Sequence, residues 1–140
     1  ITKEIVVSIK QFALQEALYA RLNNDSTLTN TYGASVYDEV PEGSSFPYVV
    51  LGEVTAIDYG TKDVDGSENT VTFHVWSQYR GAKETKNIMD RMHDLLHNYS
   101  LSVTGANLIN LRFEFADLLR DPDGITRHGV MRFRAILLGS

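Results

Sequence analysis

Apolar residues recur at helical spacing near the start of the chain. Leu14, Leu18 and Leu22 form one stripe of a helix that this pattern predicts over residues 3–23. A second side of the same helix carries further apolar residues: Ile5, Ile9, Phe12, Ala13, Ala17 and Ala20. Two apolar sides predict a helix that packs on a sheet with one side and is covered by something else on the other; alternatively, the alanines are only half-exposed. The polar residues 23–26 end the helix, and the stretch from there to Gly33 is predicted to be a polar loop.

The second helical pattern lies in the middle of the chain and is the clearest in the sequence. Over residues 82–98 the apolar positions recur every three or four residues, at Ile88, Met92, Leu95, Leu96 and Tyr99. The opposite side is charged, with Lys83, Glu84, Lys86, Asp90 and Arg91. This arrangement predicts an amphipathic helix with one buried face.

Alternation of apolar and polar residues predicts strands in the rest of the chain. In residues 70–79 three apolar positions share one face, at Val71, Phe73 and Val75, and Thr72, His74 and Trp76 share the other. Further strands are predicted at 34–40, 47–57, 108–118 and 125–138, with polar loops at 41–45 and 58–69.

The order helix, three strands, helix, two strands predicts an α+β fold. Two helices on one face of a mostly antiparallel sheet of about five strands make a two-layer sandwich. At 140 residues the whole chain is expected to form a single domain.

The last two predicted strands can be paired from their side chains alone, because residues that face each other across antiparallel strands share a face. A three-residue loop at 122–124, with a type I turn and Gly124 at positive φ, places Asp121 opposite Ile125. The apolar pairs that follow are Phe115 with Met131, Phe113 with Phe133, Leu111 with Ala135, and Ile109 with Leu137. On the other face, the pairs are Glu114 with Arg132, an ion pair, and Arg112 with Arg134, a mild repulsion.

The same hairpin concentrates residues that could form an active site. FADLLRDPDGITRHGVMRFRAIL, residues 115–137, contains three aspartates, four arginines and one histidine. Hydrolysis by His128 with Asp117 or Asp121 would need a nucleophile or a metal in a rigid surround that excludes water, which the tip of a two-stranded arm does not supply. We therefore interpret the cluster as turn chemistry plus interface contacts, with Asp121 or Asp123 accepting backbone N–H bonds.

Composition and charge narrow the possible functions. The proportions of hydrophobic and charged residues, 43% and 22%, are ordinary for a soluble globular protein. The net charge of −5 argues against a dedicated nucleic-acid binder, although an acidic surface would let DNA pass without sticking. The absence of cysteine excludes disulfides and thiolate chemistry and fits a reducing cytoplasm. No apolar run approaches the ~18 residues of a membrane span, so we expect no membrane partner.

Other groups of chemically capable residues have simpler interpretations. DVDG at residues 63–66 is similar to part of a calcium loop but lacks the remaining ligands, so a solvated hairpin loop is predicted. His93 and His97 have the spacing of a metal-binding helix, but no third ligand accompanies them, and we interpret them as structural. The glycines form no phosphate-binding loop and no dinucleotide fingerprint. We therefore expect no catalytic residue, no metal and no cofactor.

Trp76, Tyr79 and Arg80 stand together at the end of a predicted strand. They could stack on a ligand, but packing between this strand and a helix is the commoner role for such residues.

Three stretches of the chain together resemble the tail-completion, or tail terminator, family of long-tailed bacteriophages. They are VYDEVPEGSSFPYVVLG, FHVWSQYRGAKET and LRFEFADLLRDPDGITRHGVMRFRA, in the family's order and spacing. The likeness is greatest to members encoded by prophages and gene transfer agents, and it covers residues 14–135. Residues 1–12, ITKEIVVSIKQF, fall outside it.

The resemblance implies a structural protein without enzymatic activity. It implies a hexameric ring, a homo-oligomer on the head-proximal end of the tail tube, which stops tube polymerisation and joins the tail to the neck or head-tail connector protein. DNA would pass through the lumen without specific binding. The implied location is the tail of a virion or phage-like particle assembled in the bacterial cytoplasm.

A ring subunit meets its neighbour head to tail and so needs two different contact surfaces. The residues predicted to make contacts lie on two polar hairpin arms and at one strand end: Asp58, Lys62, Asp63 and Asp65; Asp121, Asp123, Arg127 and His128; and Arg80. The alternatives are another neck, connector or tail-tube subunit, or a small hydrolase using His128 with Asp117 or Asp121.

Overall fold

Five strands form one sheet in the computed structural model of the protein, which describes residues 10–139. The helices are α1, Gln11–Asn23, and α2, Lys83–Leu96, and a short π-helical turn spans Thr27–Thr31. The strands are β1, Ser35–Tyr37; β2, Tyr48–Asp58; β3, Gly66–Ser77; β4, Ala106–Arg120; and β5, Arg127–Gly139. The sheet order is β1-β2-β3-β5-β4, with β1 parallel to β2 and every other pair antiparallel. This is the predicted α+β two-layer sandwich.

The helices cover only one face of the sheet. Along β3 every second residue is buried, and Val71, Phe73 and Val75 belong to the same hydrophobic cluster as α1 and α2. The residues between them are half-buried on the face that carries no helix, as the alternation predicted. We call this second face the open face.

Helix α1 buries the predicted stripe and leaves its other side uncovered. Leu14, Leu18 and Leu22 are fully buried, and the helix ends at Asn23 as predicted. Phe12, in contrast, is 69% exposed. Among the alanines, Ala20 is exposed and Ala13 and Ala17 are half-buried, which is the alternative interpretation of this side. Ile5, Ile9 and the predicted start at residue 3 lie outside the described residues.

The polar stretch after α1 forms the π-helical turn Thr27–Thr31, so the predicted loop is wrong there. Asp25 accepts the Leu28 N–H at 2.9 Å and binds Arg91 of α2 through both carboxylate oxygens, at 2.7 and 2.9 Å. These bonds hold the π-helical turn and place Leu28, which is fully buried, in the core. The hydrogen bonds from Arg91 are the main cause that lowers the pKa of Asp25 below its usual value.

Two predicted strand boundaries are also corrected. The first strand has only three residues, Ser35–Tyr37, rather than residues 34–40. The predicted loop at 58–69 shrinks to 59–65, because β2 and β3 continue to pair as far as Asp58 and Ser67. Ser67 and Asn69 are polar yet buried, and the Asn69 side chain donates to the Ser67 hydroxyl at 2.9 Å. Asn69 Oδ1, in contrast, is buried without a hydrogen-bond partner among the described residues, so only the donor side of this amide is satisfied in the strand.

The predicted register of the β4–β5 hairpin holds in its middle. The facing pairs there are Phe113 with Phe133, Leu111 with Ala135, and Arg112 with Arg134. Leu111, Phe133 and Ala135 are fully buried, so this pairing does close the core at the edge of the sheet. The predicted ion pair also forms, with 3.6 Å between Arg132 Nε and Glu114 Oε1, but Arg132 faces Phe115 in the sheet and not the predicted Glu114.

The turn of this hairpin contains four residues instead of three, so Asp121 does not face Ile125. The Asp121 N–H donates to the Thr126 carbonyl at 2.9 Å, and Asp123 Oδ1 accepts the N–H groups of Ile125 and Thr126, each at 2.8 Å. These bonds keep Ile125 in the loop, where it is 59% exposed. Gly124 has the predicted positive φ, 75°, and donates to the Asp121 carbonyl.

A β-bulge between Phe113 and Phe115 compensates for the additional loop residue. Between the bulge and the turn, Met131 faces Ala116 and not the predicted Phe115, which is 40% exposed. A bulge adds one residue to one strand only, so it cancels a one-residue change in loop length. Phe113 thereby regains its predicted partner.

A second bulge, between Leu108 and Asn110, changes the register at the other end of β4. Leu137 faces Leu108 there, and the predicted partner, Ile109, is 53% exposed. The prediction for this pair is wrong because Leu108 and Ile109 are both apolar, so their pattern does not show which of them is inserted.

The positive φ of Gly124 can be tested by substitution. We expect Gly124→Val to lower the free energy of unfolding by about 1–3 kcal/mol, because a β-branched residue resists φ of 75°. Gly124→Asn should cost clearly less, because asparagine tolerates the left-handed region. Urea unfolding of both variants measures the difference; equal losses would show that backbone conformation at this turn is not the cause.

The ion pair between Asp25 and Arg91 should contribute to stability in a pH-dependent way. We expect Asp25→Asn to cost about 1–2 kcal/mol at pH 7, since it removes a charged, partly buried hydrogen-bonding partner. Because the pKa of Asp25 is lowered in the folded state, this contribution is complete above the ordinary value of 3.8 and is lost as the pH falls below it. Urea unfolding at pH 7, 5 and 3 should show a constant difference that then shrinks, whereas Asp90→Asn, on the exposed side of α2, should show little effect at any of the three.

Candidate functional site

The predicted contact residues lie at opposite ends of the sheet. The turn between β2 and β3 is at the end where Gly66 pairs with Leu138. The turn between β4 and β5 is at the other end, where Ser77 pairs with Arg127. Each turn carries one of the two predicted groups, and we call them the β2–β3 tip, residues 58–65, and the β4–β5 tip, residues 121–128.

The β2–β3 tip presents its charges to solvent. Thr61 Oγ1 accepts the backbone N–H of Asp63 at 3.3 Å, and the Gly139 N–H donates to the Asp65 carbonyl at 2.7 Å, so backbone bonds hold the loop. Asp58 Oδ1 accepts the Gly60 N–H at 3.1 Å. Within residues 10–139, the side chains of Lys62, Asp63 and Asp65 make no hydrogen bond or ion pair, which leaves them available to a partner.

The β4–β5 tip uses one of its predicted contact residues internally. Both Asp123 oxygens are engaged, since Oδ2 accepts the Thr126 hydroxyl at 2.7 Å while Oδ1 accepts two N–H groups. The hydrogen bonds from Thr126 are the main cause that lowers the pKa of Asp123. Gln78 Nε2 donates to the Thr126 hydroxyl at 3.1 Å and ties the tip to the end of β3. Asp123 therefore stabilises the turn. The bond from Gln78 attaches the tip to the end of β3, so the tip is not a free hairpin arm.

Arg80 and Arg127 come together in one surface depression. It has a volume of about 540 Å3, and its lining also includes Tyr79, Gly124 and Ile125. The guanidinium of Arg127 donates to the Ile125 carbonyl at 3.3 Å, whereas Arg80 is exposed. Two cations beside an exposed isoleucine and tyrosine form a surface suited to a protein partner that carries a carboxylate.

His128 belongs to a row of side chains on the open face. Its ring stacks on Trp76, with 3.8 Å between centroids and 9° between planes. His128 Nε2 lies 2.7 Å from His74 Nδ1, and His74 Nε2 lies 3.4 Å from Glu53 Oε1. We call these four residues the open-face row.

The position of Trp76 corrects one prediction. Its chain neighbours Val75 and Ser77 are buried under the helices, so Trp76 lies on the opposite face and does not pack against a helix. Tyr79 and Arg80 are exposed beyond the end of β3. The three residues therefore do not form one set.

The environment of the open-face row lowers the pKa of His128 below its ordinary value. Burial is the main cause that lowers the pKa of His128, the neighbouring His74 adds to the effect, and Asp121 opposes it. The row consequently offers a flat aromatic surface with one exposed carboxylate, Glu53, at its end.

His93 of α2 and His97, which follows the last residue of α2, have structural contacts. His97 Nδ1 accepts the Phe113 N–H at 3.0 Å, next to the β4 bulge, and its ring stacks on His93 with 4.8 Å between centroids. Burial is the main cause that lowers the pKa of His97, which suits an acceptor nitrogen. No group of three histidine or carboxylate side chains in the described part of the chain is placed to hold a metal ion.

The geometry gives little support for hydrolysis at His128. Its Nε2 is directed at His74, and Asp117 faces Val130 in the sheet. The buried Ser77 hydroxyl donates to Glu84 at 2.6 Å and not to a histidine.

No helix between residues 10 and 139 has the length and apolar character that crossing a membrane requires.

Comparison with known proteins decides the family. The family model described as tail completion protein gp17 matches residues 16–138, which is most of the chain.

The chain belongs to the tail completion protein gp17 family.

A relative with this name, the tail completion protein gp17 of Bacillus phage SPP1, is 29% identical over 122 residues, covering 87% of this chain and 90% of the relative. A solved structure titled "Virion of native gene transfer agent (GTA) particle" contains a similar chain, with a TM-score of 0.86 and 29% identity over 91% of this chain and 96% of that one. The resemblance found in the sequence is confirmed. As a member of the tail completion protein gp17 family, this chain has a structural role in a phage-type tail.

The open-face row was not predicted as a group. The alternation of β3 predicts that His74 and Trp76 share a face, but it does not show that His128 joins them, because β5 and β3 are far apart in sequence and their register has no local signal. Glu53 lies in a β2 bulge between Leu51 and Val54, which the sequence pattern also does not reveal. The positions of both tips of this tail completion family member, in contrast, follow from their turn residues, although the lengths of the two loops do not.

The protonation of His128 can be followed directly, because Trp76 is the sole tryptophan of the chain and an imidazolium stacked on it quenches its fluorescence. We expect a fluorescence transition below pH 6.5, the ordinary histidine value, that is absent in His128→Gln and unchanged in His97→Gln. The folded state favours neutral His128, so stability should fall as the pH drops below 6.5, and His128→Gln should reduce that fall. A transition at or above pH 6.5 would contradict the buried, stacked environment.

Proposed function

We propose that this tail protein forms a hexameric ring on the head-proximal end of the tail tube, ends tube polymerisation and joins the tail to the neck. The observation that supports this most is the position of the two tips at opposite ends of one sheet. A subunit placed between two different partners needs a contact surface at each end. One tip would contact the tail tube protein and the other the neck or head-tail connector protein.

The charges of the two tips are consistent with two different partners. The β2–β3 tip carries a net negative charge, with Asp58, Asp63 and Asp65 against Lys62. The β4–β5 tip has Arg127 beside Arg80, while Asp123 is occupied within the turn. Electrostatic complementarity favours correct partners and rejects wrong ones. We propose these side chains, together with Asp121 and His128, as contact residues.

In this proposal the protein acts without catalysis and without a cofactor. Among the residues that could support hydrolysis, His128 stacks on Trp76, Asp117 Oδ1 accepts the Leu118 N–H, and the Ser77 hydroxyl donates to Glu84. DNA would pass through the ring lumen without specific binding, which suits a chain with a net charge of −5. Assembly would take place in the bacterial cytoplasm.

Loss of the protein from the particle is the decisive experiment. Without it, electron micrographs of lysates should show tails of uncontrolled length or tails that are not joined to heads, and the intact gene in trans should restore joined particles. Joined tails of normal length in its absence would contradict the proposal. A complete absence of tubes would favour the alternative role of tube protein, and normal free tails beside unfilled or leaking heads would favour a connector.

The same complementation experiment can test the tips. Reversal of one charge at each tip, Asp63→Lys and Arg127→Glu, should reduce the yield of joined particles at least several-fold while the purified variants unfold as the unchanged protein does. Glu16→Lys, a charge reversal on the exposed side of α1, serves as the matched control and should complement fully. Equal complementation by all three variants would show that the tips are not contact surfaces.

A further inference from the structure

The outer edge of strand β2 is unpaired in its second half. β1 pairs with β2 only from Tyr48 to Val50, so residues 54–58 have β3 on one side and no strand of residues 10–139 on the other. This stretch, VTAID, includes neither lysine nor proline, two residues that commonly protect exposed edges from other strands. Natural proteins otherwise cover such an edge with another segment of chain.

The hydrogen-bond pattern shows which backbone groups of this stretch point away from β3. The Tyr59 N–H donates to the Gly66 carbonyl at 3.0 Å, and the register is uninterrupted from there to Val54. Hydrogen-bonded and non-hydrogen-bonded pairs alternate in an antiparallel ladder, so residues 55 and 57 bond to β3 like Tyr59. Residues 54, 56 and 58 therefore direct their N–H and C=O groups toward the outer edge.

The described chain begins beside this edge. Gln11 Nε2 donates to the Val54 carbonyl at 3.4 Å, which places the first residue of α1 next to the free stretch. Lys10 has φ 57° and ψ 31°, in the left-handed region, so the helix predicted from residue 3 is interrupted at this point. The residues that precede Lys10 thus join the fold next to Val54, and the axis of α1 does not fix their course.

The sequence before Lys10 has the pattern of a strand. Residues 1–9, ITKEIVVSI, lie outside the described part of the chain and carry β-branched apolar residues at alternate positions, Ile5, Val7 and Ile9. At about 3.3 Å per residue, five extended residues match the length of residues 54–58. The segment is therefore long enough to cover the free edge.

Only one direction along the edge is available to this segment. β1 already occupies the edge beside residues 48–50, so a segment that ends next to Val54 has to come from the Asp58 end. β2 runs from Tyr48 to Asp58. The segment therefore lies antiparallel to β2.

The two faces of the edge set the register. Val54 faces Val71 of the core, so Val54 and Ala56 lie on the side that the helices cover. Facing residues of an antiparallel pair share a face. Ile9 opposite Val54 and Val7 opposite Ala56 therefore extend the apolar side of the sheet.

We propose that residues 5–9 form a strand that pairs antiparallel with residues 54–58 of the same chain, with Ile9 opposite Val54. This strand follows β1 along the same edge and covers the remainder of it. Each subunit then has no exposed β2 edge through which it could pair with other strands before it docks on a tail. The inference does not depend on the proposed ring.

Proline substitutions test this ladder one hydrogen bond at a time. In the proposed register the Val7 N–H donates to the Ala56 carbonyl, whereas the Val6 N–H points away from β2. Val7→Pro therefore removes a ladder bond, and Val6→Pro, the matched control, removes none. We expect hydrogen exchange of the Ala56 amide, followed by NMR, to become about ten-fold faster in Val7→Pro and to change little in Val6→Pro. An Ala56 amide that exchanges in the unchanged protein as fast as the loop amide of Lys62 would show that the edge is uncovered.

A disulfide identifies the chain that supplies the strand. Ser8 and Thr55 would form a non-hydrogen-bonded pair on the open face, with Cα atoms about 4.5 Å apart, which a disulfide can bridge. The chain contains no cysteine of its own. We expect oxidised Ser8→Cys/Thr55→Cys to lose its free thiols and to remain a monomer on a denaturing gel without reductant. Ser8→Cys/Asp90→Cys, with Asp90 on the exposed side of α2, is the control and should keep both thiols.

Each other outcome overturns the proposal in a recognisable way. Disulfide-linked dimers of Ser8→Cys/Thr55→Cys would assign the strand to a second copy of the chain. A disulfide in Ser8→Cys/Ile57→Cys without one in Ser8→Cys/Thr55→Cys would refute the register. Free thiols in both variants together with a rapidly exchanging Ala56 amide would leave the edge open to another protein and would refute the pairing itself.

Discussion

Phe73, Phe133 and Phe113 meet edge to face across three neighbouring strands, with 5.8 and 5.7 Å between successive ring centroids. Edge-to-face pairs of this kind stabilise beyond the area they bury. Phe113 faces Phe133 directly, whereas Phe73 faces Met131 and reaches Phe133 diagonally. Because β3, β5 and β4 are aligned by these rings, the helices can cover one face of the sheet and the open-face row can assemble on the other. The bulges and the four-residue turn are adjustments that keep Phe113 in this position.

Much of the architecture follows from periodicity. The stripe Leu14, Leu18 and Leu22 and the alternation of Val71, Phe73 and Val75 each identify a buried face, and the structure buries all six residues completely. Such patterns are reliable because a helix or a strand repeats the same geometry at every turn or pleat. The π-helical turn was missed because one carboxylate, Asp25, organises it, and a single side chain makes no periodic signal.

The register of the last hairpin shows what periodicity cannot predict, namely the position of an inserted residue. Alternation identifies the apolar pairs in the middle of β4 and β5, but an inserted residue reverses the phase without changing composition. The tips follow from proline, aspartate and glycine, whose backbone preferences act locally. The open-face row combines residues from three strands, and no local rule brings Glu53, His74 and His128 together. Function was accessible mainly through the combined resemblance of three stretches to one family, because no single motif in the sequence identifies a reaction.

The four-residue turn and the bulge at Glu114 each add one residue, and their effects on the pairing cancel. A relative could lose both residues and keep every core contact. Loss of one alone would move the side chains of part of one strand to the opposite face of the sheet. Insertions and deletions in this hairpin are therefore expected to occur in compensating pairs, one at the turn and one in the strand. A comparison of family sequences that places a single gap at the turn would misassign the residues between the two sites by one position.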